Sequence, residues 1–217
     1  TRADEEPMTQ IGDRVQGKLD AYIIEEVLAD GRFGETFLAR RVSDEDDVVI
    51  KTIALERAAS SQDMEIFERE SARLRQLDHP SIAPYLDAMV LQKGQQAELG
   101  LVQSYVTTSS LREWAEGRGI VDLDANLDWF DAALDALVYV HELEPPVVHG
   151  DLDAGNVLLD SDESIQIVDF ATARQRLLSA ERLATGLARG QLDYAPMEQL
   201  RGQAVPATDL YALAMTF

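Results

Sequence analysis

Two carboxylates and an amide lie close together in the second half of the chain, in a pattern suited to holding a hard divalent cation. Asp151 and Asn156 belong to the segment 149–157, and Asp169 follows the apolar residues 165–168. Oxygen atoms of Asn156 and Asp169 are ligands that Mg²⁺ prefers and that softer metals do not. The Asp151 carboxylate could orient a hydroxyl group or accept its proton. Any one of these residues alone is equally well explained as a turn residue.

A lysine and a glutamate in the first half form a second candidate pair. Lys51 interrupts an apolar run, and strand alternation places it on the same face as Val49. Glu70 falls on the same helical stripe as Phe67 and Leu74. Charges on buried faces are costly alone and tolerated as a pair, and such a pair would hold an ammonium group facing an anion. Each residue alone could instead be an edge lysine or an exposed helical glutamate.

Two glycines lie in a turn between predicted strands. Gly31 and Gly34 connect the apolar runs 22–28 and 35–42. Because no helix follows them, they do not form the dinucleotide-binding fingerprint, which needs a helix N-terminus at the pyrophosphate. Glycine at these positions would let a hairpin backbone lie close over phosphate groups. The alternative is a hairpin that simply requires positive φ angles.

The elements that must position these residues begin with a β-rich part. Apolar alternation and turn residues predict strands at 22–28, 35–42, 48–54, 82–91 and 97–106. A helix is predicted at 61–77, where Ser60 and Asp63 give a capping-box start. The polar residues 1–17 are expected to form an arm without regular structure.

A mostly helical part follows. Apolar spacing and turn residues predict two short strands at 157–159 and 165–168 and helices at 109–116, at 124–143 and from 208 onward. The long helix is expected to bury one stripe formed by Leu127, Phe130, Leu134, Leu137 and His141. The fold class is therefore α+β, with the two parts joined near residues 105–110.

Composition limits the classes of partner. The 217-residue chain has 19 Lys and Arg against 40 Asp and Glu, a formal net charge of −21. This charge argues against binding to nucleic acid and to an anionic membrane surface. The chain has no cysteine, which excludes disulfides and cysteine-bound zinc. No apolar run reaches the roughly 18 residues of a spanning helix. We expect a cytoplasmic domain that is a piece of a longer protein.

The order of these motifs resembles a protein kinase catalytic domain of the bacterial Ser/Thr type. Gly31 and Gly34 resemble its glycine-rich loop, residues 48–51 its V-A-I-K strand, and Glu70 the helical partner of that lysine. The resemblance implies a bilobal fold, with a small N-lobe of antiparallel sheet plus one helix and a mostly helical C-lobe. It places the N-lobe at 18–106.

In the second half, residues 149–156 resemble the H-R-D catalytic loop and residues 169–171 the D-F-G element. Residues 194–198 are similar to the A-P-E stretch, and Asp209 to the aspartate that anchors the catalytic loop. The resemblance implies a C-lobe at 107–217 that is truncated after the start of its central helix.

The resemblance also implies a role for each residue and the cofactors ATP and Mg²⁺. Lys51, held by Glu70, would contact the α- and β-phosphates. Asn156 and Asp169 would hold Mg²⁺, and Asp151 would orient the acceptor hydroxyl. The implied nucleotide-binding residues are Ala29, Gly31, Gly34, Val49, Lys51, Gln103, Tyr105 and Val106. Gln103 falls at the gatekeeper position, and the implied partner is a protein substrate or a regulatory protein.

Some residues depart from the family pattern. Asp153 stands where protein kinases place a lysine near the γ-phosphate, so its charge would repel that group. Gln191 replaces the threonine that pairs with this lysine, Gly150 replaces the arginine of H-R-D, and Ala171 the glycine of D-F-G. Together the changes at 153 and 191 suggest a remodelled acceptor site.

Three hypotheses are consistent with these residues. The first is an active ATP- and Mg²⁺-dependent Ser/Thr protein kinase with an atypical acceptor site. The second is a pseudokinase that acts as a nucleotide-binding or protein-interaction module, which the departures favour. The third is a small-molecule kinase, which the H-G-D phrase at 149–151 favours and the A-P-E-like stretch disfavours.

Overall fold

The fold is known from a computed structural model, which describes residues 9–30, 34–55, 59–93, 96–107, 109–118, 123–160, 164–170 and 204–217. The chain divides into two compact units. The first unit comprises Thr1–Gln76 and Pro84–Tyr105, and the second comprises Leu77–Ala83 and Val106–Phe217. Within the described ranges, no helix has the length and apolar character needed to cross a membrane.

The first unit contains a six-stranded antiparallel sheet with the order β1-β2-β3-β4-β6-β5. The strands are β1 Arg14–Gln16, β2 Ala21–Asp30, β3 Glu35–Arg41, β4 Asp47–Leu55, β5 Tyr85–Lys93 and β6 Gln96–Ser104. One helix, α1 Ser61–Leu74, packs against β5. The five predicted strands and the helix are confirmed. However, α1 ends three residues before its predicted end, and β5 begins three residues after its predicted start.

The predicted arm is shorter than expected, because Arg14–Gln16 forms β1 and pairs with β2. Val15 is buried in this strand. The strand has a single apolar residue among three, too few for alternation to reveal it in the sequence. Its stability comes from pairing with the longer β2, whose own residues were predicted correctly.

One face of this sheet forms the core of the first unit, as alternation along strands requires. The core cluster consists of Val15, Tyr22, Ile24, Phe37, Ala39, Val48, Ile50, Met89 and Val102. Residues between them along β3 and β4 point to the opposite face. This second face carries four of the residues predicted to bind a nucleotide, Ala29, Val49, Lys51 and Gln103.

The second unit holds three described helices, α2 Leu111–Arg118, α3 Leu123–His141 and α4 Pro206–Thr216, with the two-stranded sheet of β7 Val157–Leu159 and β8 Ile165–Ile167. These elements match the prediction to within a few residues. The buried stripe predicted for the long helix is partly wrong, because Leu127 is exposed. From Ala125 to His141 of α3, the buried side chains are Trp129, Ala133, Ala136, Leu137 and Val140. Apolar residues occur on several sides of α3, so their spacing alone does not show which side of the helix is buried.

Candidate active site

The second face of the large sheet brings several predicted nucleotide-binding residues into two adjacent rows. In the first row, Ala29 pairs with Thr36, Thr36 with Lys51, and Lys51 with Leu101. Directly paired residues of antiparallel strands share a face. Ala29 and Lys51 therefore lie on the same side, separated by one strand.

The second row contains Leu38, Val49 and Gln103, which pair across β3, β4 and β6. Gln103 is only 3% exposed. Val49 and Lys51 are two residues apart on β4, so the two rows are neighbours on one face. The remaining predicted nucleotide residues, Tyr105 and Val106, follow β6 and are half-buried.

Gly34 directly precedes β3, and its lack of a side chain has a structural reason. A Cβ placed on Gly34 would lie 2.0 Å from the carbonyl oxygen of Thr52. The neighbouring Glu35 donates its backbone N–H to the Thr52 hydroxyl oxygen at 2.9 Å. The start of β3 is therefore held against β4, one residue beyond Lys51. Gly31, the other predicted glycine, lies outside the described residues.

We expect Gly34→Ala to lower the free energy of unfolding by about 1–3 kcal/mol, because the new methyl group must displace strand backbone. Gly117→Ala is the matched control: a Cβ on Gly117 meets no atom within 4 Å. Since Gly117 lies in α2, alanine there should be neutral or stabilise by up to about 1 kcal/mol. Urea unfolding of both variants measures the difference. Equal stability of the two variants would contradict the close approach at Gly34.

Glu70 is buried on the inner face of α1, as predicted, with a side chain 2% exposed. The helix begins with a capping box in which the Ser60 hydroxyl accepts from the Asp63 N–H and the Asp63 carboxylate accepts from the Ser60 N–H. Two guanidinium groups of the same helix approach Glu70: Arg69 Nε at 3.1 Å and Arg73 Nη1 at 3.6 Å. The pairing of Glu70 with Lys51 stays a prediction.

In the second unit, Asp209 anchors the loop that carries Asp151. Its carboxylate is completely buried and accepts the backbone N–H groups of His149 at 2.7 Å and Gly150 at 2.8 Å. His141 Nε2 lies 2.8 Å from the same carboxylate. Gly150 has a φ of 74°, a left-handed conformation that glycine adopts without strain. Three groups from two segments of the chain therefore converge on Asp209.

Asn156 connects the Asp151 loop to the residues before Asp169. Its side-chain Nδ2 donates to the Asp151 carbonyl oxygen at 2.6 Å. The backbone carbonyl oxygen of Asn156 accepts the Val168 N–H at 3.0 Å. The amide must present nitrogen to the Asp151 carbonyl, so its oxygen is the atom that remains to bind a cation.

His149 links the two segments a second time and is completely buried. Its Nε2 lies 2.9 Å from the Val168 carbonyl oxygen, while its Nδ1 accepts the Asp151 N–H at 3.2 Å. These contacts assign the hydrogen to Nε2 of a neutral ring. The ring also packs on Phe170, with centroids 4.6 Å apart. His149 therefore packs within the loop and connects Asp151 to Val168.

Asp169 has a φ of 72°. Among residues other than glycine, Asp and Asn adopt this left-handed conformation most readily. Such a conformation costs about 1–3 kcal/mol and concentrates at functional sites. His149 and Asn156 connect the segment that carries Asp151 to Val168, the residue before Asp169, in one hydrogen-bonded frame. The hard-cation site at these residues stays a prediction.

Comparison with known proteins identifies the family. The sequence model of the protein kinase domain matches residues 22–217. The chain belongs to the protein kinase family. The antiparallel sheet with one helix and the mostly helical second unit agree with the bilobal α+β kinase fold that was predicted.

Curated relatives of this kinase domain are bacterial. It is 28% identical over 207 residues to the serine/threonine-protein kinase PrkC of Bacillus subtilis, covering 94% of this chain and 30% of that protein. It is 30% identical over 210 residues to the serine/threonine-protein kinase D of a Synechocystis species, covering 91% of this chain and 40% of that protein. The chain therefore spans less than half the length of either relative.

A solved structure with the same fold is the kinase domain of Mycobacterium tuberculosis PknI. The TM-score is 0.69 at 23% sequence identity, covering 96% of this chain and 73% of that chain. This likeness concerns the fold alone.

The donor set of this kinase domain fits Mg²⁺. An amide oxygen and a carboxylate are hard ligands, and protein Mg²⁺ sites commonly use one or two such groups together with substrate phosphates. In the described part of the chain, no cluster of three or more His, Asp or Glu side chains forms a metal site by itself. The assignment of Asn156 and Asp169 as Mg²⁺ ligands stays a prediction.

Several kinase motifs of the sequence analysis lie outside the described residues. They are Ala171 of the D-F-G-like element, Gln191, and the A-P-E-like stretch 194–198. The role of each of these residues stays a prediction.

Proposed function

We propose that this kinase domain transfers the γ-phosphoryl group of ATP to a serine or threonine hydroxyl of a protein, at an acceptor site of atypical sequence. The observation that supports this most strongly is the hydrogen-bonded frame of Asp151, Asn156 and Asp169. Its three functional groups are those needed to position a hydroxyl and to hold a cation beside phosphate. Family membership and the bacterial Ser/Thr kinase relatives support the same reaction.

In this proposal the acceptor oxygen forms a bond to the γ-phosphorus as the bond to the β–γ bridging oxygen breaks, and ADP leaves. Asp151 orients the acceptor hydroxyl and takes its proton. Asn156 and Asp169 hold Mg²⁺, which neutralises phosphate charge when it is bound. Lys51 contacts the α- and β-phosphates, and Glu70 holds the lysine. Most of the catalysis is then positioning and electrostatic stabilisation.

The second candidate is a pseudokinase that binds a nucleotide or a protein without transferring phosphate. The ion pairs of Glu70 with Arg69 and Arg73 favour it. They place two further cations at the carboxylate that is proposed to hold Lys51. A weaker ion pair between Glu70 and Lys51 would lower the rate of phosphoryl transfer more than the affinity for nucleotide.

Nucleotide binding is tested first by thermal or urea unfolding with ATP and Mg²⁺. At a ligand concentration of about 100 times Kd, the unfolding free energy should rise by about 2.7 kcal/mol. Lys51→Met should reduce this gain. Lys18→Met is the matched control, because Lys18 is a partly exposed lysine of the same unit paired with Glu68 at 2.8 Å. No stabilisation of the wild type, with or without Mg²⁺, contradicts the kinase and any nucleotide-binding pseudokinase, and it leaves only a pseudokinase that binds protein. Stabilisation without transfer supports a pseudokinase that binds nucleotide.

A further inference from the structure

An ion pair joins the proposed catalytic loop to helix α2. Arg112 Nη2 lies 2.8 Å from Asp153 Oδ2, and the two side chains are 54% and 30% exposed. Asp153 is two residues from Asp151, the proposed proton acceptor. Its charge was expected to repel the transferred phosphoryl group. The structure shows that this charge has a cationic partner 41 residues away in sequence.

Arg112 is held in place by the way α2 begins. Ser110 donates its N–H to Glu113 Oε2 at 2.9 Å, and the Ser110 hydroxyl oxygen accepts the Glu113 N–H at 3.2 Å. The hydrogen bonds from the Ser110 backbone and side chain hold the pKa of Glu113 below its ordinary value. Ser110 also forms a β-bridge with Leu158, which fixes the first turn of α2 beside β7.

The loop is shaped around the ion pair. Asp153 Oδ1 accepts the Gly155 N–H at 2.7 Å, which leaves Oδ2 for the guanidinium. The Arg112 backbone N–H donates to the Ala154 carbonyl oxygen at 2.9 Å. A Cβ on Gly155 would lie 3.1 Å from Asp153 Oδ1 and 3.5 Å from Arg112 Cζ. Glycine at 155 therefore leaves the space that the pair occupies.

From this geometry we infer that Arg112 is a positioning residue for nucleotide binding and phosphoryl transfer, and that it acts by neutralising Asp153. The inference rests on the proposed function. With Arg112 in place, Asp153 adds little negative potential where the terminal phosphate must bind, and Asp151 remains the acidic group directed at the reaction. Without Arg112, Asp153 becomes an uncompensated charge close to an anion.

A double-mutant cycle separates charge neutralisation from a purely structural link. We expect Arg112→Gln to lower kcat/KM for ATP by about tenfold, equivalent to about 1.4 kcal/mol. Asp153→Asn alone should lower kcat/KM much less than Arg112→Gln does, since it removes the charge that Arg112 neutralises. The double variant should recover most of the loss. If the pair were only a structural link, Asp153→Asn would be as harmful as Arg112→Gln, and the double variant would not recover.

The affinity for nucleotides gives a second readout that does not depend on transfer. Arg112→Gln should weaken MgATP binding by about tenfold and ADP binding by less, because the terminal phosphate is absent. The ATP effect should shrink as salt rises from about 0.05 to 0.5 M, since exposed charges are screened. Arg112→Lys should restore most of the affinity.

The matched control is Arg41→Gln, which removes another partly exposed arginine, bound to Asp44 at 2.7 Å and Asp46 at 3.0 Å. It should change neither transfer nor nucleotide affinity. If the wild type binds no MgATP, the proposed function fails. If the wild type binds MgATP and Arg112→Gln binds it equally well, the proposed function stands and the role of Arg112 is wrong.

Discussion

Replacing Asp151 by asparagine is expected to lower the rate of phosphoryl transfer by about 10²- to 10⁴-fold, the usual contribution of a positioned acid or base. The substitution removes the proton acceptor and preserves the shape of the side chain. The loop contacts described for Asp151 use its backbone: its N–H donates to His149 Nδ1, and its carbonyl oxygen accepts from Asn156 Nδ2. These contacts survive the substitution, so the loss should appear in kcat and leave nucleotide affinity nearly unchanged.

The measurement is single-turnover transfer of a radiolabelled γ-phosphate to the domain itself or to a generic protein acceptor. Asp128→Asn is the matched control, because it makes the same chemical change at an exposed aspartate of α3. Equal transfer by Asp151→Asn and the wild type would show that Asp151 is not the proton acceptor. MgATP binding by a wild type that transfers nothing would instead support the pseudokinase.

Most strands and helices could be predicted because their signals are local. The capping box of Ser60 and Asp63 fixes the start of α1 within four residues of sequence. The alternation in β4 separates Val48 and Ile50, which enter the core, from Val49 and Lys51. The end of α1 was less predictable: the helix stops at Leu74 although apolar spacing continues to Leu77. Ends of helices depend on backbone contacts that residue types encode weakly.

Contacts between distant residues could not be predicted from one sequence. Asp87 is buried and accepts hydrogen bonds from the N–H groups of Leu19 at 3.0 Å and Asp20 at 3.1 Å and from the Tyr22 hydroxyl at 3.0 Å. Burial, together with the negative charge of Asp87, raises the pKa of Tyr22 above its ordinary value. The apolar run around Asp87 predicts a strand and gives no sign of these partners.

In the candidate site, too, local patterns could be predicted and contacts between distant residues could not. Asp151, Asn156 and Asp169 could be predicted as site residues because they occur within 20 residues and carry recognisable chemistry. Arg112 was missed, and Asp153 was interpreted as an unfavourable charge, because their contact spans 41 residues. A charge in a sequence therefore has an uncertain electrostatic effect until its partner in the fold is known.

Asp209→Ala is expected to lower the free energy of unfolding by about 3–5 kcal/mol, because it leaves buried donors without an acceptor. The carboxylate is completely buried and accepts from the His149 and Gly150 backbones. An alanine side chain has no atom that could accept these hydrogen bonds. Since Gly150 precedes Asp151 directly, the loop should also lose its fixed conformation, and transfer should fall by more than the stability loss alone explains.

His141→Ala separates the backbone contacts from the side-chain contact. It removes only the His141 ring, which lies 2.8 Å from the Asp209 carboxylate, and both backbone N–H groups keep their acceptor. The loss in the free energy of unfolding should therefore be less than half of that caused by Asp209→Ala. Leu210→Ala is the control on the same helix: Leu210 is 45% exposed, and its loss should change stability by no more than about 0.5 kcal/mol. Urea unfolding without nucleotide or protein substrate measures the free energy of unfolding of all three variants. A cost for Asp209→Ala no larger than that for Leu210→Ala would mean that the loop is held by contacts other than Asp209, and the anchoring of Asp151 would then need another explanation.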